Sequence, residues 1–183
     1  IKAPFHTDIP AYPVEVLIEP KMSFGTGHHE TTTLIIQSLL KMDLNSIEIA
    51  DIGCGTGVLG LTGLKLGANH VDGCDIDEWS FNNTEVNKRL NNEPNFRVHL
   101  GDVSTIIALN KTYQVVLANI NKNILLGDLT AYADITAPKG TLLLSGFYES
   151  DCGDLIEAAI KVGFEHIATN SKNQWASLLF QKE

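Results

Sequence analysis

The chain has 183 residues, a formal net charge of −9 at pH 7, and 44% hydrophobic residues. This composition predicts one globular domain with a sizeable core and excludes a disordered chain. It has no apolar run near the roughly twenty residues of a membrane span, no secretory signal at its start, and no basic cluster that could follow a phosphate backbone. We therefore expect a cytoplasmic protein with neither membrane nor nucleic acid as its main partner.

The acidic charge favours a basic partner, because an acidic field raises the encounter rate of cationic substrates. The same charge is also common for solubility alone. The three cysteines, Cys54, Cys74 and Cys152, have no metal-ligand spacing and are expected to be free thiols.

Residues 1–20 contain four prolines, and we interpret them as a lead-in segment or linker in which residues 14–19 form a strand. A loop with glycines and hydroxyls then enters a helix predicted over residues 33–42. Such a loop is typical of a helix cap and equally of a site for a ligand carboxylate, because a helix N-terminus attracts anions. His28 and His29 lack the companions of a zinc site, so no metal is predicted.

A glycine-rich loop follows the next strand, which is predicted over residues 47–50. Gly53, Gly55 and Gly57 come directly after it, and glycine allows positive φ and the close approach of a ligand to the backbone. A helix predicted over residues 58–65 begins at this loop, so its free N–H groups face the loop. The arrangement predicts that these three glycines bind a nucleotide.

Asp51 indicates which nucleotide binds. The loop matches the dinucleotide pattern GxGxxG, but a carboxylate two residues before the first glycine would repel a pyrophosphate. S-adenosylmethionine carries an ammonium and a sulfonium and no phosphate, so Asp51 favours it by opposite-charge attraction. The alternatives are an NAD-type nucleotide-binding domain and a tight turn in which Asp51 is only a cap.

Two more carboxylates follow later strands. A strand over residues 70–76 carries Asp75 near its end, about twenty residues beyond the glycines, where Rossmann-like units bind ribose hydroxyls. A strand over residues 96–102 ends in Asp102, which can accept a hydrogen bond from the adenine amino group. Both side chains are alternatively surface carboxylates at strand ends.

A fourth strand, over residues 113–120, is apolar enough to be buried on both faces of a sheet. Asn119 lies at its exit, on the ligand side, and offers an acceptor and a donor without charge. We therefore include Asn119 among the candidate site residues.

The remaining elements complete an alternation of strands and helices. Residues 164–169 and 175–181 are predicted as two strands whose connection is too short for a helix, so they form an antiparallel hairpin. The predicted fold class is α/β, a Rossmann-like seven-stranded sheet with an antiparallel C-terminal hairpin, the outline of the class I S-adenosylmethionine-dependent methyltransferases. The other predicted elements are helices over residues 78–92, 123–135 and 151–162, a turn at 138–140 and a strand over 141–147.

Residues 24–32, which read FGTGHHETT, resemble the FGTGxHxTT signature of the PrmA family, the methyltransferases of large-subunit ribosomal protein L-eleven. Glu30 stands where many members have proline. Further agreement in order and approximate spacing is found at residues 51–57, 64–68, 75–77, 118–120, 144–146 and Trp175.

The resemblance implies transfer of methyl groups from S-adenosylmethionine to lysine and N-terminal amines of that ribosomal protein. By position, Thr32, Gly53, Asp75 and Asn119 are implied to contact the cofactor, with Thr26 nearby in the loop. Asn119 is implied to lie closest to the transferred methyl group, which makes it the candidate catalytic residue.

The resemblance also implies a domain organisation. Residues 21–183 correspond to the catalytic domain, and the family's small N-terminal substrate-recognition domain is missing, so we expect a fragment of a longer protein. Residues 24–27 are expected to order over the bound cofactor as a lid. A class I methyltransferase for another protein or a small molecule remains an alternative. The oligomeric state cannot be predicted.

Overall fold

The computed structural model of the chain describes residues 1–4, 12–19 and 29–183. Within these residues it contains seven strands, six α-helices and one short 3-10 helix. The strands are β1 Glu48–Ile52, β2 His70–Asp75, β3 Phe96–Leu100, β4 Tyr113–Asn119, β5 Thr136–Tyr148, β6 Phe164–Lys172 and β7 Trp175–Lys182. The helices are α1 Glu30–Leu39, α2 Val58–Lys65, α3 Glu78–Leu90, α4 Val103–Ile107, α5 Lys122–Ile135 and α6 Cys152–Lys161, and the 3-10 helix spans Glu149–Asp151.

The strands form one sheet in the order β3-β2-β1-β4-β5-β7-β6. Strands β1 to β5 pair in parallel, whereas β7 is antiparallel to both β5 and β6. The predicted seven-stranded sheet with one reversed strand is therefore confirmed. The hairpin turn consists of Asn173 and Gln174, which have φ of 51° and 67°, the left-handed conformation that two-residue hairpin turns require.

Each face of the sheet buries its own apolar cluster. Side chains of α4, α5 and α6 form one cluster, and side chains of α1 and α2 form the other. The prediction that β4 is buried on both faces is confirmed, because Val115 and Leu117 belong to the second cluster while Val116 and Ala118 belong to the first. The core therefore lies on both sides of the parallel strands, and the strand ends remain for a site.

The strand predicted over residues 14–19 was wrong. The predicted alternation of buried side chains is present, since Val16 and Ile18 are each 2% exposed. However, the backbone makes only an isolated bridge between Lys2 and Leu17. The Leu17 N–H donates to the Asn91 side chain at 2.8 Å, so a side chain directly after α3 takes the place of a neighbouring strand.

Several other bounds differ from the prediction. Helix α1 begins three residues early, because His29 caps it. Strand β3 ends at Leu100, and α4, which the sequence analysis missed, follows it. The turn predicted at residues 138–140 lies inside β5 as an irregularity, where Lys139 has a φ of 61°.

Candidate active site

The carboxyl ends of β1, β2 and β4 meet at one edge of the sheet. Asp51, Asp75 and Asn119 lie at or near these ends. The strand order runs outward in opposite directions from β1 and β4. Open α/β sheets bind ligands at such a switch point, so the edge that carries these three side chains is the candidate active site.

The glycine loop has the conformation that the sequence predicted. Gly53, Gly55 and Gly57 have φ of 68°, 58° and 77°, in the left-handed region that other residues rarely adopt. A Cβ on Gly57 would lie 2.7 Å from Thr84 Cγ2, so a side chain there would also clash with α3. The loop therefore keeps its shape only with glycine, although its contact with a nucleotide stays a prediction.

Asp75 connects the glycine loop to the start of α3. Its Oδ2 accepts the Gly55 N–H at 2.8 Å, and its Oδ1 accepts the Asp77 N–H at 3.0 Å. A carboxylate oxygen has two lone pairs, so both oxygens retain capacity for a ribose hydroxyl. The ribose contact stays a prediction, and the two backbone contacts are a second role that the sequence did not reveal.

Asp51 is buried and only half satisfied. Its Oδ2 accepts the Gly60 N–H in the first turn of α2 at 2.9 Å, and its Oδ1 has no hydrogen-bond partner among the described residues. Burial raises the pKa of Asp51 to about 7, the negative charge of Asp75 adds to the rise, and the Gly60 N–H opposes it. The contact with Gly60 is the helix cap of the alternative interpretation. Asp51 Oδ1 can still accept a hydrogen bond from a cationic ligand.

Asn119 and Thr32, both predicted for the site, lie together. Asn119 Nδ2 is 3.5 Å from Thr32 Oγ1, and the buried Asn119 Oδ1 has no hydrogen-bond partner in the described part of the chain. Buried amide oxygens are usually paired. An unpaired one at the end of β4 is therefore the strongest sign that a ligand group belongs there.

His29 positions Thr32 by capping α1. Its Nδ1 accepts the Thr31 N–H at 3.3 Å, and its backbone oxygen accepts the Thr33 N–H at 3.1 Å. These contacts give His29 a structural role at the start of α1.

Two aromatic side chains lie beside His29. The Trp175 ring stacks on Tyr148 with centroids 4.2 Å apart, and it meets the His29 ring edge-on at 4.8 Å. The sequence analysis gave Tyr148 no role, because only the pairing of Tyr148 on β5 with Trp175 on β7 brings the two rings together. We therefore add Trp175 and Tyr148 to the candidate site.

Two serines lie level with Asn119 on the neighbouring strands β5 and β7. Across the sheet, Asn119 pairs with Ser145, and Ser145 pairs with Ser177. Ser145 donates to the Ala176 carbonyl at 2.6 Å, while the buried Ser177 Oγ has no partner among the residues described. The sequence analysis missed Ser177, since its alignment with Asn119 depends on the sheet register.

Two predicted site residues, Asp102 and Thr26, make no described contact with Asp51, Asp75 or Asn119. Asp102 is exposed and caps α4, with Oδ1 accepting from the Ser104 N–H at 2.9 Å and from the Ser104 hydroxyl at 2.6 Å. Its adenine contact stays a prediction. Thr26 and the proposed lid at residues 24–27 lie outside the described residues.

The remaining chemistry of the described residues is limited. No group of three or more His, Cys, Asp or Glu side chains within residues 1–4, 12–19 and 29–183 could hold a metal ion. Burial raises the pKa of the Cys74 thiol to about 12 and also raises the pKa of the Cys54 thiol well above its usual value. None of the helices described is long and apolar enough to cross a membrane.

Comparison with known proteins agrees with this geometry. The sequence model of the family described as ribosomal protein L11 methyltransferase (PrmA) matches residues 2–183. The chain is 46% identical to the ribosomal protein L11 methyltransferase of Porphyromonas gingivalis and 43% identical to that of Phocaeicola vulgatus. Each match covers 98% of this chain, but only 62% and 64% of the relative. The chain thus spans less than two thirds of the length of these relatives.

Among solved structures, the ribosomal protein L11 methylase of Lactobacillus delbrueckii subsp. bulgaricus superimposes with a TM-score of 0.82 at 23% identity. The match covers 92% of this chain and 84% of the other. At this identity the likeness establishes the fold, which is that of the class I S-adenosylmethionine-dependent methyltransferases. With the match over residues 2–183, the chain belongs to the ribosomal protein L11 methyltransferase (PrmA) family.

Proposed function

We propose that this chain is the catalytic part of an S-adenosylmethionine-dependent protein N-methyltransferase, with residues 21–183 as its catalytic domain and residues 1–20 as a lead-in. Its substrate is ribosomal protein L11, and it methylates lysine and N-terminal amines. The observation that carries the proposal is the buried Asn119 Oδ1, which lacks a partner in the described chain, beside Thr32 at the switch point of the sheet. Ribosomal proteins are made in the cytoplasm, so we propose that compartment for the reaction.

The residues at the site fit S-adenosylmethionine better than a dinucleotide. Asp51 comes two residues before Gly53, and Asp75 accepts the Gly55 N–H, so a group bound at the glycine loop meets negative charge. An ammonium is attracted by this charge, whereas a pyrophosphate is repelled. In this assignment Asp75 binds the ribose hydroxyls, and Asp102 accepts a hydrogen bond from the adenine amino group. The three glycines have no Cβ, so they allow the ligand to approach the backbone closely.

The bound cofactor supplies an activated methyl group on its sulfonium, so the protein has mainly to position the amine. Asn119 Oδ1 can accept an N–H of the amine and so turn the nitrogen lone pair toward the methyl group. Its Nδ2 contacts Thr32, which fixes the amide plane. Asn119 is therefore assigned as the residue that orients the substrate nitrogen.

The amine must also be neutral, yet a free lysine has a pKa of about 10.4 and is mostly protonated at pH 7. Removal of the amine from water as it approaches the cofactor disfavours its charged form and lowers its pKa. His29 Nδ1 is occupied by the Thr31 N–H, which favours water over His29 as the acceptor of the released proton.

The charge of the chain supports a basic substrate. The formal net charge of −9 raises the encounter rate with a cationic protein. A lysine-rich ribosomal protein is such a partner.

The test has two parts. First, S-adenosylhomocysteine and NAD are compared in thermal unfolding, where a ligand at 100 times its Kd stabilises the folded protein by about 2.7 kcal/mol. We expect stabilisation by S-adenosylhomocysteine and none by NAD. Second, the protein is incubated with S-adenosylmethionine labelled in its methyl group and with purified large-subunit ribosomal proteins.

Label on ribosomal protein L11 and on no other protein is the expected result. Stabilisation by NAD alone would replace the proposal with a dinucleotide-binding domain. Label on a different protein, or turnover of a small molecule with no ribosomal protein present, would support the proposed cofactor but contradict the proposed substrate.

A further inference from the structure

Helix α3 buries polar side chains rather than apolar ones. Its buried residues are Ser80, Asn83, Thr84 and Asn87, and Asn91, directly after the helix, is also buried. Burying a polar group costs free energy unless it is hydrogen-bonded. The contacts of this face therefore indicate what α3 is built to hold.

Asn87 bonds to two distant segments with one side chain. Its Nδ2 donates to the Thr56 carbonyl at 2.8 Å, and its Oδ1 accepts the Glu19 N–H at 2.8 Å. Thr56 lies in the glycine loop, and one turn earlier on α3 Thr84 donates to the Gly55 carbonyl at 2.8 Å. Helix α3 thus holds two successive carbonyls of the glycine loop, and Asn87 also holds the lead-in segment.

Asn91 holds the same lead-in segment without contacting the glycine loop. Its Oδ1 accepts the Leu17 N–H at 2.8 Å, and its Nδ2 donates to the Leu17 carbonyl at 2.7 Å. Val16 and Ile18, each 2% exposed, anchor the segment in the core on either side of Leu17. Residues 16–19 are therefore docked by Asn91 and connected to the glycine loop by Asn87.

We propose that Asn87 is a positioning residue that couples the docking of residues 16–19 to the shape of the glycine loop, and through it to cofactor affinity. Asn87 is fully buried, and its amide group is planar, so its two bonds cannot be adjusted independently. A displacement of Glu19 turns the amide away from the Thr56 carbonyl. The inference rests on the proposed cofactor, because it assigns a ligand to the loop.

Coupling of this kind is reciprocal. If docking of residues 16–19 favours the binding form of the loop, then a bound cofactor must tighten the docking of residues 16–19. The proposal therefore predicts an effect of the ligand on backbone amides of the lead-in segment.

The readout is hydrogen exchange of the Leu17 amide, followed by NMR with and without S-adenosylhomocysteine. The Leu17 N–H bonds to Asn91 and not to Asn87, so Asn87→Ala leaves its own partner in place. In the unmodified protein we expect the ligand to slow this exchange by about fivefold or more. In Asn87→Ala we expect no slowing, together with about tenfold weaker binding of the ligand, the usual effect of losing one buried hydrogen bond.

Asn91→Ala is the matched control, since it removes a buried amide of the same helix region that does not touch the glycine loop. We expect a similar fall in Tm and faster Leu17 exchange, because Leu17 loses its partner. Ligand binding should be weaker than in the unmodified protein but stronger than in Asn87→Ala, and the ligand should still slow Glu19 exchange, because the connection from Glu19 through Asn87 to Thr56 remains. A second variant, Glu19→Pro, deletes the N–H that Asn87 accepts, and Glu19→Ala, which keeps that N–H but also loses the carboxylate, is its control. Glu19→Pro should abolish the slowing at Leu17 even if Asn87→Ala does not fold.

Slowing at Leu17 that is equal in the unmodified protein, Asn87→Ala and Glu19→Pro would overturn the inference. So would a ligand that binds the unmodified protein, as judged by its Tm, without slowing Leu17 exchange. Failure of S-adenosylhomocysteine to bind the unmodified protein at all would instead overturn the proposed function, and the coupling with it.

Discussion

Two buried aspartates on neighbouring strands, Asp51 on β1 and Asp72 on β2, have opposite surroundings. Asp51 is 1% exposed and Asp72 is 0% exposed. One Asp51 oxygen has no hydrogen-bond partner among the described residues, and burial raises its pKa to about 7. For Asp72, burial also acts to raise the pKa, but its partners more than offset this and lower the pKa to about 2.

The partners of Asp72 surround both of its oxygens. Oδ2 accepts from Lys111 Nζ at 2.7 Å and from the Tyr113 hydroxyl at 2.9 Å. Nε2 of His70 and Nε2 of His99 lie 3.1 Å and 3.4 Å from Oδ1. Both Asp72 oxygens therefore have partners within the chain, and Asp72 lies on the face of the sheet opposite to Asp51, since it pairs across the sheet with Ala50.

The difference teaches that burial alone does not identify a functional carboxylate. A group that the chain has fully satisfied contributes to stability, whereas a buried atom left without a partner, such as Asp51 Oδ1 or Asn119 Oδ1, is available to a ligand. Variants on each side of this comparison should therefore separate stability from binding and turnover.

The largest effect is expected from Asp72→Ala. Removing Asp72 leaves the buried Tyr113 hydroxyl without its acceptor and takes from Lys111 its nearest carboxylate, and it should lower the free energy of unfolding by about 3–5 kcal/mol, measured in urea. Cofactor affinity of the folded protein should not change. A loss below about 1 kcal/mol, typical of an exposed ion pair, would contradict the comparison.

The same cluster predicts a dependence of stability on acid. The folded pKa of Asp72 is lowered to about 2, below the unfolded value of about 3.9. Its contribution is therefore complete above pH 4 and is lost as the pH falls through 2. The conservative variant Asp72→Asn should show a smaller loss of stability over this window.

Asn119→Ala tests the other side of the comparison. We expect kcat to fall by about 100-fold, the usual cost of losing one positioning contact in a transition state, with a smaller loss in cofactor affinity. Asn121→Ala is the control, because Asn121 only caps α5 through the Ile124 N–H. It should cost about 1 kcal/mol of stability and leave kcat nearly unchanged. Equal turnover of Asn119→Ala and the unmodified protein would remove the assigned role.

Asp75→Ala should weaken S-adenosylmethionine binding by about 1–3 kcal/mol, because ligand hydroxyls and the Gly55 N–H lose their acceptor. Titration calorimetry measures the change. Asp77→Ala is the matched control, since Asp77 caps α3 through the Trp79 N–H and has no assigned ligand contact. Equal affinities of the two variants would refute the ribose assignment.

The smallest effect concerns pH and Asp51. Because its pKa is raised to about 7, Asp51 becomes ionised between pH 6 and 8 and then attracts a cationic ligand. S-adenosylmethionine affinity should rise by about threefold to tenfold over this range, and Asp51→Asn should remove the rise. The ligand-free protein should show the opposite trend, because an acid with a raised pKa loses stability as the pH rises from about 4 through 7. An affinity independent of pH would show that Asp51 is a cap only.

Much of the fold could be predicted because its signals are local. The apolar run of β4 and the glycines at 53, 55 and 57 each follow from the chemistry of adjacent residues, and the structure agrees with them. The short connection before Trp175 likewise predicted the hairpin and with it the reversed strand.

What could not be predicted depends on partners distant in sequence. Residues 14–19 alternate like a strand, but Asn91, 74 residues from Leu17, supplies their partner. The polar residues of α3 look like a solvent-facing surface until their contacts with Thr56 and Glu19 are known. Single site residues such as Asn119 could be proposed from their positions after predicted strands. The stacked pair of Tyr148 and Trp175 could not, because it depends on the β5–β7 register.

The position of β7 has a consequence for the order of folding. Strand β6 precedes β7 in the chain but lies outside it in the sheet, so β6 is joined to the rest of the sheet only through β7. As the chain is synthesised, β6 therefore has no neighbour until β7 has also emerged, and β5 presents an open edge during that time. Unpaired edges of this kind invite association with other chains, so the nascent protein is most exposed to aggregation just before its last strand inserts.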